Sequence, residues 1–434
     1  MALSTQPYKG ARDFYPEDKR VQDYMFSVLR TVVKKYGYQE YDAPILEPLD
    51  LYRAKTGEEI VNEQVYSFVD RGDREVAIRP EMTPTVSRMV AAKRQELPYP
   101  LRWFSIPNLW RYERPQRGRL REHWQLNVDM FGEPTLAAEH EMLLILDDIL
   151  KSFGAKPEMY EIRLNNRQFM DYLLHDYFGL GEVQVATLGK LIDRMHKIPH
   201  AEFVAEVDAL CTPSQRDQQL PALILGLLSV RDIDTLPPEV GTHGSLIAIR
   251  QLMTLLNQAG ILNVRFDISL MRGFDYYSGV VFEVFDTDPD NNRSMFGGGR
   301  YDGLVGLFGV EPVPTIGFGM GDVTLRNFLE THGLLPRLES EIDALVILVG
   351  EVYARSQQLI ADFREMGLNI AVDATDRKVG NKIKAADKTG VRYVIFVGQE
   401  ELETEQYGLK DLKSGQEERH SAARLVSIIK DFRK

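Results

Sequence analysis

Strand-like sequence gives way near Leu164 to a long stretch of helical texture and resumes after Ile261 with NVRFDISL, GVVFEVF and FGGGRYDG. Strands on both sides of a helical block need partners, and the economical solution is a single strand-rich domain split by a helical insertion. The strands before the block are legible too. RWFSIPNLWR and WQLNVDMFG alternate apolar and polar residues, as paired strands do. Ahead of them, Val21, Tyr24, Met25, Val28, Leu29, Val32, Val33 and Tyr36 recur at three- and four-residue intervals, which predicts an amphipathic helix that starts after Pro16 and ends at Gly37. The next segment, GYQEYDAPILEP, carries Pro44 and Pro48, which forbid helix and suit an edge strand or an interface.

From Asp343 onward the pattern becomes ALVILV, a helix over Tyr353–Met366, LNIAVDA, a short basic helix around Gly380–Lys388, VRYVIFVG and a helix over Ala422–Phe432. This predicts a small α/β unit with a largely parallel sheet. Its first strand runs into Gly350, Glu351, Val352 and Tyr353 without a GxGxxG turn, so a dinucleotide is not the expected ligand.

At 434 residues the chain has room for roughly two to four domains. Cys211 is the only cysteine, which excludes an internal disulfide and paired-CxxC zinc sites. There is no 18-residue apolar run and no signal-peptide pattern at the N-terminus, so a cytosolic protein without a membrane segment is expected. The net charge of −12 argues against indiscriminate nucleic-acid binding. The deficit lies almost wholly before Glu341, and the nearly neutral C-terminal unit permits an RNA partner without indicating one.

The densest chemistry is WRYERPQRGRLREHWQ, with Arg111, Arg114, Arg117, Arg119 and Arg121 interleaved with Glu113 and Glu122 around Gly118. On charge alone, a solvated hairpin and a phosphate-binding loop are equally good readings. The flanking strands favour the second, because they hold the loop at the end of a sheet. MRGFDYYSGVVFEVF places Arg272, Tyr276 and Tyr277 at the head of another strand, where alternation sends the two tyrosines to opposite faces. FGGGRYDGLVG and GFGMG match neither a P-loop nor GxGxxG, so their glycines are expected to let backbone approach a flat ligand or a packed strand. No GxSxG or HExxH is present and the eight histidines show no ligand spacing, which leaves hydrolase and metalloprotease readings without support.

In order along nearly the whole chain, KGARDFYPED, GYQEYDAPILEP, IRPEMTPTVSR, RYERPQRGRLREHWQ, RGFDYYSGVVFE and GGGRYDGL resemble the histidyl-tRNA synthetases, with the second and fourth segments matching class II motifs 1 and 2. The resemblance implies an α+β fold: a class II catalytic domain on an antiparallel sheet over residues 1–165 and 261–333, a helical insertion over 166–260, and an α/β anticodon-binding domain over 340–434. It implies activation of histidine with ATP and Mg²⁺, transfer to tRNA(His), and a homodimer joined through motif 1. Arg111 and Arg272 would be catalytic at the α-phosphate, with Glu113, Arg119 and His123 also at the ATP. Glu81, Thr83 and Gln125 would take the α-amino group, and Asp129, Tyr276, Tyr277 and Tyr301 would complete the histidine site. No protein metal site is implied.

Two positions depart from the family pattern. His123 stands where an aromatic residue stacks on adenine, and Gly321, Asp322, Val323 and Thr324 replace Gly-x-Glu-Arg, removing the arginine expected at the γ-phosphate. Arg326 lies about 200° further round a helix and is not expected to substitute. A non-catalytic paralogue that regulates ATP phosphoribosyltransferase is the main rival; the C-terminal unit and Arg111, Arg272, Glu81 and Gln125 oppose it. RGFDYY and GGGRYDG oppose sibling synthetases for proline, threonine or glycine.

Overall fold

The computed structural model describes residues 3–53, 63–195, 198–271, 276–291 and 294–433. It divides into two compact units, Met1–Leu335 and Pro336–Lys434.

In the first unit a helix covers Pro16–Lys35. Pro16 occupies its first turn beside Glu17 and Asp18, and Lys34 and Lys35 close its last turn, so charge and backbone both fit the helix dipole. Gly37 follows with φ +82°. Met25, Phe26, Leu29, Val32 and Val33 form the buried stripe, each contributing about 1.5–3 kcal/mol of burial.

This stripe packs behind a nine-stranded sheet among the described residues. In spatial order its strands are Gln39–Glu40, Leu101–Ser105, Glu122–Phe131, Thr315–Gly321, Ser294–Arg300, Val280–Asp286, Tyr160–Asn166 and Val264–Phe266, with Asn108–Trp110 paired to the near end of Glu122–Phe131. All pairings are antiparallel except the two outermost, Gln39–Glu40 with Leu101–Ser105 and Tyr160–Asn166 with Val264–Phe266. Leu126, Val128, Ile316, Phe318, Phe282, Val284, Ile162 and Leu164 point into the apolar core. The alternate residues form the opposite face, on which Gln125, Asn127 and Asp129 lie in register with Gly321, Gly319 and Gly317.

The segment from Arg167 to Gln258 is helical, including Glu182–Arg194, His200–Leu210, Leu220–Leu228 and Gly244–Gln258. Its apolar residues, among them Leu188, Ile192, Phe203, Ile224 and Leu252, join the same core as the sheet. A separate three-stranded sheet, ordered Leu46–Pro48, Glu75–Ile78, Tyr66–Val69, leaves Ile45, Leu46, Phe68 and Val69 exposed.

The second unit holds a five-stranded sheet among the described residues. Ile370–Asp373, Ala344–Leu348 and Tyr393–Val397 are parallel, and the hairpin Tyr407–Asp411 and Glu417–His420 extends them antiparallel. Sequence periodicity missed this hairpin, whose second strand is mostly exposed and has no apolar face.

Candidate active site

The arginine-rich segment is a hairpin at the end of the large sheet. Asn108–Trp110 and Glu122–Phe131 form its legs. Gln116 and Arg119 exchange both backbone hydrogen bonds at its tip (3.0 and 2.9 Å), a turn that needs Gly118 at φ +77°. Arg111 is half-buried, and its Nε donates to Pro80 O (2.9 Å), tying the hairpin to the loop that carries Glu81. Glu113 and Arg119 face each other at 3.7 Å. Arg121 is held inside the protein: its guanidinium lies 3.8 Å from the centre of the Tyr112 ring and donates to Glu113 O (3.2 Å) and Tyr8 Oη (3.0 Å). His123 lies across from Leu109 in the same ladder. Burial first, then the guanidiniums of Arg111 and Arg12, push its imidazole down to about 3, so it stays a neutral ring at working pH.

A second cluster lies further along the same face. Tyr301 donates a short hydrogen bond to Asp129 Oδ1, deep inside the protein. Burial pushes the Asp129 carboxyl up to about 7, a rise that the Tyr301 bond opposes. Tyr276 Oη donates to Glu81 Oε2 (3.1 Å), and Thr83 begins the helix Thr83–Ala92 directly after it. Gln125 Nε2 donates to Asn127 Oδ1 (2.7 Å). The rings of Tyr276, Tyr277 and Tyr301 meet at centroid distances of 4.9, 5.6 and 6.5 Å. The expectation that Tyr276 and Tyr277 face opposite ways is therefore wrong. Both precede the strand Val280–Asp286, and a turn has no alternation to impose.

Glycine opens this cluster. A methyl at Gly317 would collide with Asp129 Oδ1 and come within 2.6 Å of Val128 O; one at Gly319 would collide with the Gln125 amide; one at Gly299 would come within 2.8 Å of the Tyr277 ring. The two glycine-rich segments are adjacent strands whose missing side chains make room for the polar groups of their neighbours.

Glu81, Thr83, Gln125, Asp129, Tyr276, Tyr277 and Tyr301 thus gather in one region, and Arg111, Glu113, Arg119 and His123 on the hairpin beside it. Arg272 lies outside the described residues. Arg326 is committed elsewhere, to Asp18 (2.9 Å) and Glu330 (2.7 Å). Thr324 Oγ1 donates to Met295 O (2.7 Å), and the space beside Gly118 ends 3.4 Å away on its methyl.

Three contributors escaped the sequence reading. Arg12 pairs with the buried Asp322 (2.7 Å), which also accepts Trp124 N–H (2.9 Å) and so locks the helix Asp322–Thr331 to the hairpin strand. Tyr41 and Ser105 place buried hydroxyls beside each other near Asp129, whose Oδ2 has no hydrogen-bond partner among the described residues. Alternation along Leu101–Ser105 could have flagged Ser105, which shares a face with Asn127. Nothing in the sequence near Tyr41 could.

An antiparallel sheet with an arginine hairpin at its end and a polar pocket floored by glycine strands is the frame of a class II aminoacyl-tRNA synthetase. The family model described as "Histidyl-tRNA synthetase" matches residues 10–323, and one described as "Anticodon binding domain" matches residues 343–432. Among curated relatives, the histidine–tRNA ligase of Leptospira biflexa is 45% identical over 431 residues, covering 99% of this chain and 98% of that protein. That of Haloarcula marismortui is 37% identical over 414 residues, with 94% of each covered. The crystal structure of histidyl-tRNA synthetase from Nostoc sp. PCC 7120 superposes with a TM-score of 0.80 at 23% identity, covering 99% of this chain and all of that one. The chain belongs to the histidyl-tRNA synthetase family, the aminoacyl-tRNA ligases for histidine.

Proposed function

We propose that the tyrosine–carboxylate pocket binds histidine and that the arginine hairpin binds ATP, with bond making at their junction. The carrying observation is Asp129: a buried carboxylate with one oxygen occupied by Tyr301 and the other, Oδ2, without a hydrogen-bond partner among the described residues, seated in the space that the missing side chain of Gly317 leaves. An unsatisfied buried acceptor costs about 1–3 kcal/mol, and an imidazole N–H relieves that cost where an isosteric apolar side chain does not. Glu81, with Thr83 and Gln125, takes the substrate ammonium. Tyr276 holds Glu81 in place, and Tyr277 and Tyr301 wall the ring.

The substrate carboxylate then attacks the α-phosphorus, pyrophosphate departs, and the mixed anhydride with AMP remains. In the second step a terminal ribose hydroxyl of tRNA(His) attacks the carbonyl carbon and AMP leaves. Arg111 and Arg272 neutralise the charge that gathers on the α-phosphate, as fixed cations that need no reorganisation. Glu113 and Arg119 lie along the triphosphate and His123 offers a neutral face to adenine. Among the described residues no group of three or more His, Cys, Asp or Glu side chains is placed to hold a metal ion. Mg²⁺ entering with ATP would screen the triphosphate charge.

Residues 1–165 and 261–333 serve as the catalytic domain, 166–260 as the insertion and 340–434 as the anticodon-reading module. The exposed Ile45, Leu46, Phe68 and Val69 are apolar enough to bury in a homodimer. Among the described residues no helix is long and apolar enough to cross a membrane, and a cytoplasmic location suits the substrates. The test is exchange of labelled pyrophosphate into ATP by the purified protein, expected with histidine alone. Exchange driven by another amino acid would assign the pocket to a sibling enzyme, and no exchange would favour a regulatory paralogue.

A further inference from the structure

The deep end of the pocket is closed by residues that the proposed reaction does not use. Tyr41 N–H donates to Phe104 O (2.9 Å), which carries the outermost strand one residue past its last pair, Glu40 with Phe104, and sets Tyr41 beside Ser105. Ser105 pairs with Asn127, and Trp103 with Asp129. Side chains paired across a sheet share a face, so Tyr41, Ser105, Trp103 and Asp129 all lie on the pocket side. The Tyr41 and Trp103 rings pack at a centroid distance of 5.8 Å, within the apolar cluster that also holds Val86, Val90 and Phe131. Buried Arg79 fixes the turn after Tyr41, donating to Ala43 O (2.6 Å) and Asn108 O (3.0 Å).

In that setting sit the two hydroxyls of Tyr41 and Ser105, buried and beside each other. They carry two protons, and a bond between them uses one, leaving the other to point elsewhere. The charges acting on Tyr41 are Asp129, Arg79 and Asp42. Arg79 is a cation and repels a hydroxyl proton, and the Asp42 side chain is 82% exposed, where solvent screens it. Asp129 is buried, and its Oδ2 has no hydrogen-bond partner among the described residues, so its pull sets the direction of the spare proton. A hydroxyl dipole aimed at a carboxylate favours the ionised form, and does so more strongly among apolar groups than in water. Ionised, Asp129 only accepts hydrogen bonds; protonated, it also donates one.

We infer that Tyr41 and Ser105 determine specificity: their hydroxyl pair is a positioning element that keeps Asp129 a hydrogen-bond acceptor, so that the pocket takes a ring bearing an N–H and refuses one without. The inference rests on the proposed function, which sets Asp129 at the imidazole. The pair acts through Asp129 and takes no part in the chemistry at phosphorus.

The test is pyrophosphate exchange by the full-length protein carrying Tyr41→Phe, Ser105→Ala or both. Each single variant should raise KM for histidine about fivefold and leave kcat and KM for ATP within about twofold of the parent. Because the hydroxyls act as one unit, the double variant should match the singles rather than multiply them. Ser105→Thr keeps the hydroxyl and should stay within about twofold of the parent. The discriminating probe is thiazol-4-ylalanine, whose ring keeps a nitrogen acceptor and has sulfur in place of the N–H. Its inhibition constant against histidine-dependent exchange should hold within about twofold, or fall, while KM for histidine rises. A merely structural role predicts otherwise: an unchanged KM for histidine, or histidine, thiazolylalanine and ATP all weakened in parallel, would overturn the inference. A parent protein without histidine-dependent exchange fails differently: it removes the proposed function itself.

Discussion

Burial sets the behaviour of Asp129. Its carboxyl, ordinarily near 3.8, is pushed up to about 7, so burial disfavours the ionised form by roughly 4 kcal/mol. Because the folded value lies above the unfolded one, the stability that this group supports is complete below about pH 4 and is lost as pH rises to about 7. Asp129→Asn keeps an acceptor for Tyr301 and removes the titration. The variant should melt above the parent at pH 8 by several degrees, with the gap closing towards pH 5, while KM for histidine rises at least about tenfold. Melting curves at the two pH values decide the first half; a lower melting point at pH 8 would contradict it. His123 is the opposite case, an imidazole that burial and two guanidiniums hold neutral. Its use is as a flat ring, so His123→Phe should leave KM for ATP within about threefold between pH 6 and 8, and His123→Ala should raise it roughly tenfold. If Phe proved as damaging as Ala in exchange kinetics, the imidazole nitrogens would matter instead.

For the strands, the decisive residues are those without side chains. Gly319→Ala displaces the flexible Gln125 amide, whereas Gly317→Ala also meets the Val128 carbonyl at 2.6 Å, which cannot rotate away. The expected outcome for Gly319→Ala is a folded protein with a histidine KM raised about tenfold. Gly317→Ala should lose 3 kcal/mol or more of stability, roughly the cost of overpacking a core. Thermal melts with exchange assays separate the two, and equal melting points would refute the distinction. These elements also show how far sequence carried. The helix Pro16–Lys35 and both legs of the arginine hairpin were legible because a single buried face repeats at the period of the element. The turn holding Tyr276 and Tyr277 was not, since no period governs a turn. The hairpin Tyr407–His420 was not either, since its second strand is exposed on both faces.

At the scale of the molecule, the two compact units carry separate apolar cores, one behind the nine-stranded sheet and one around Val346, Phe363, Ile395 and Leu425. Each unit therefore has an apolar core of its own, the condition for folding independently. A fragment ending at Leu335 should keep histidine-dependent exchange and lose most aminoacylation of tRNA, and calorimetry of the whole chain should resolve two transitions. A single transition, or a fragment inactive in exchange though folded, would mean that the units depend on one another. The helical segment is different: its apolar residues pack into the core of the sheet, so excising 166–260 should unfold the first unit rather than leave a working enzyme.

Sequence by itself determined the elements and the order of the chemistry, because periodicity, proline and glycine act locally and the family's segments run in line along the chain. The tertiary structure decided which of those groups meet. It put Asp129 against Tyr301, set Glu81 under Tyr276, brought Tyr41 beside Ser105, and gave Arg326 to Asp18 and Glu330. Burial and hydrogen bonding between residues far apart in the chain, with the pKa values that follow, exist only once the strands are in register.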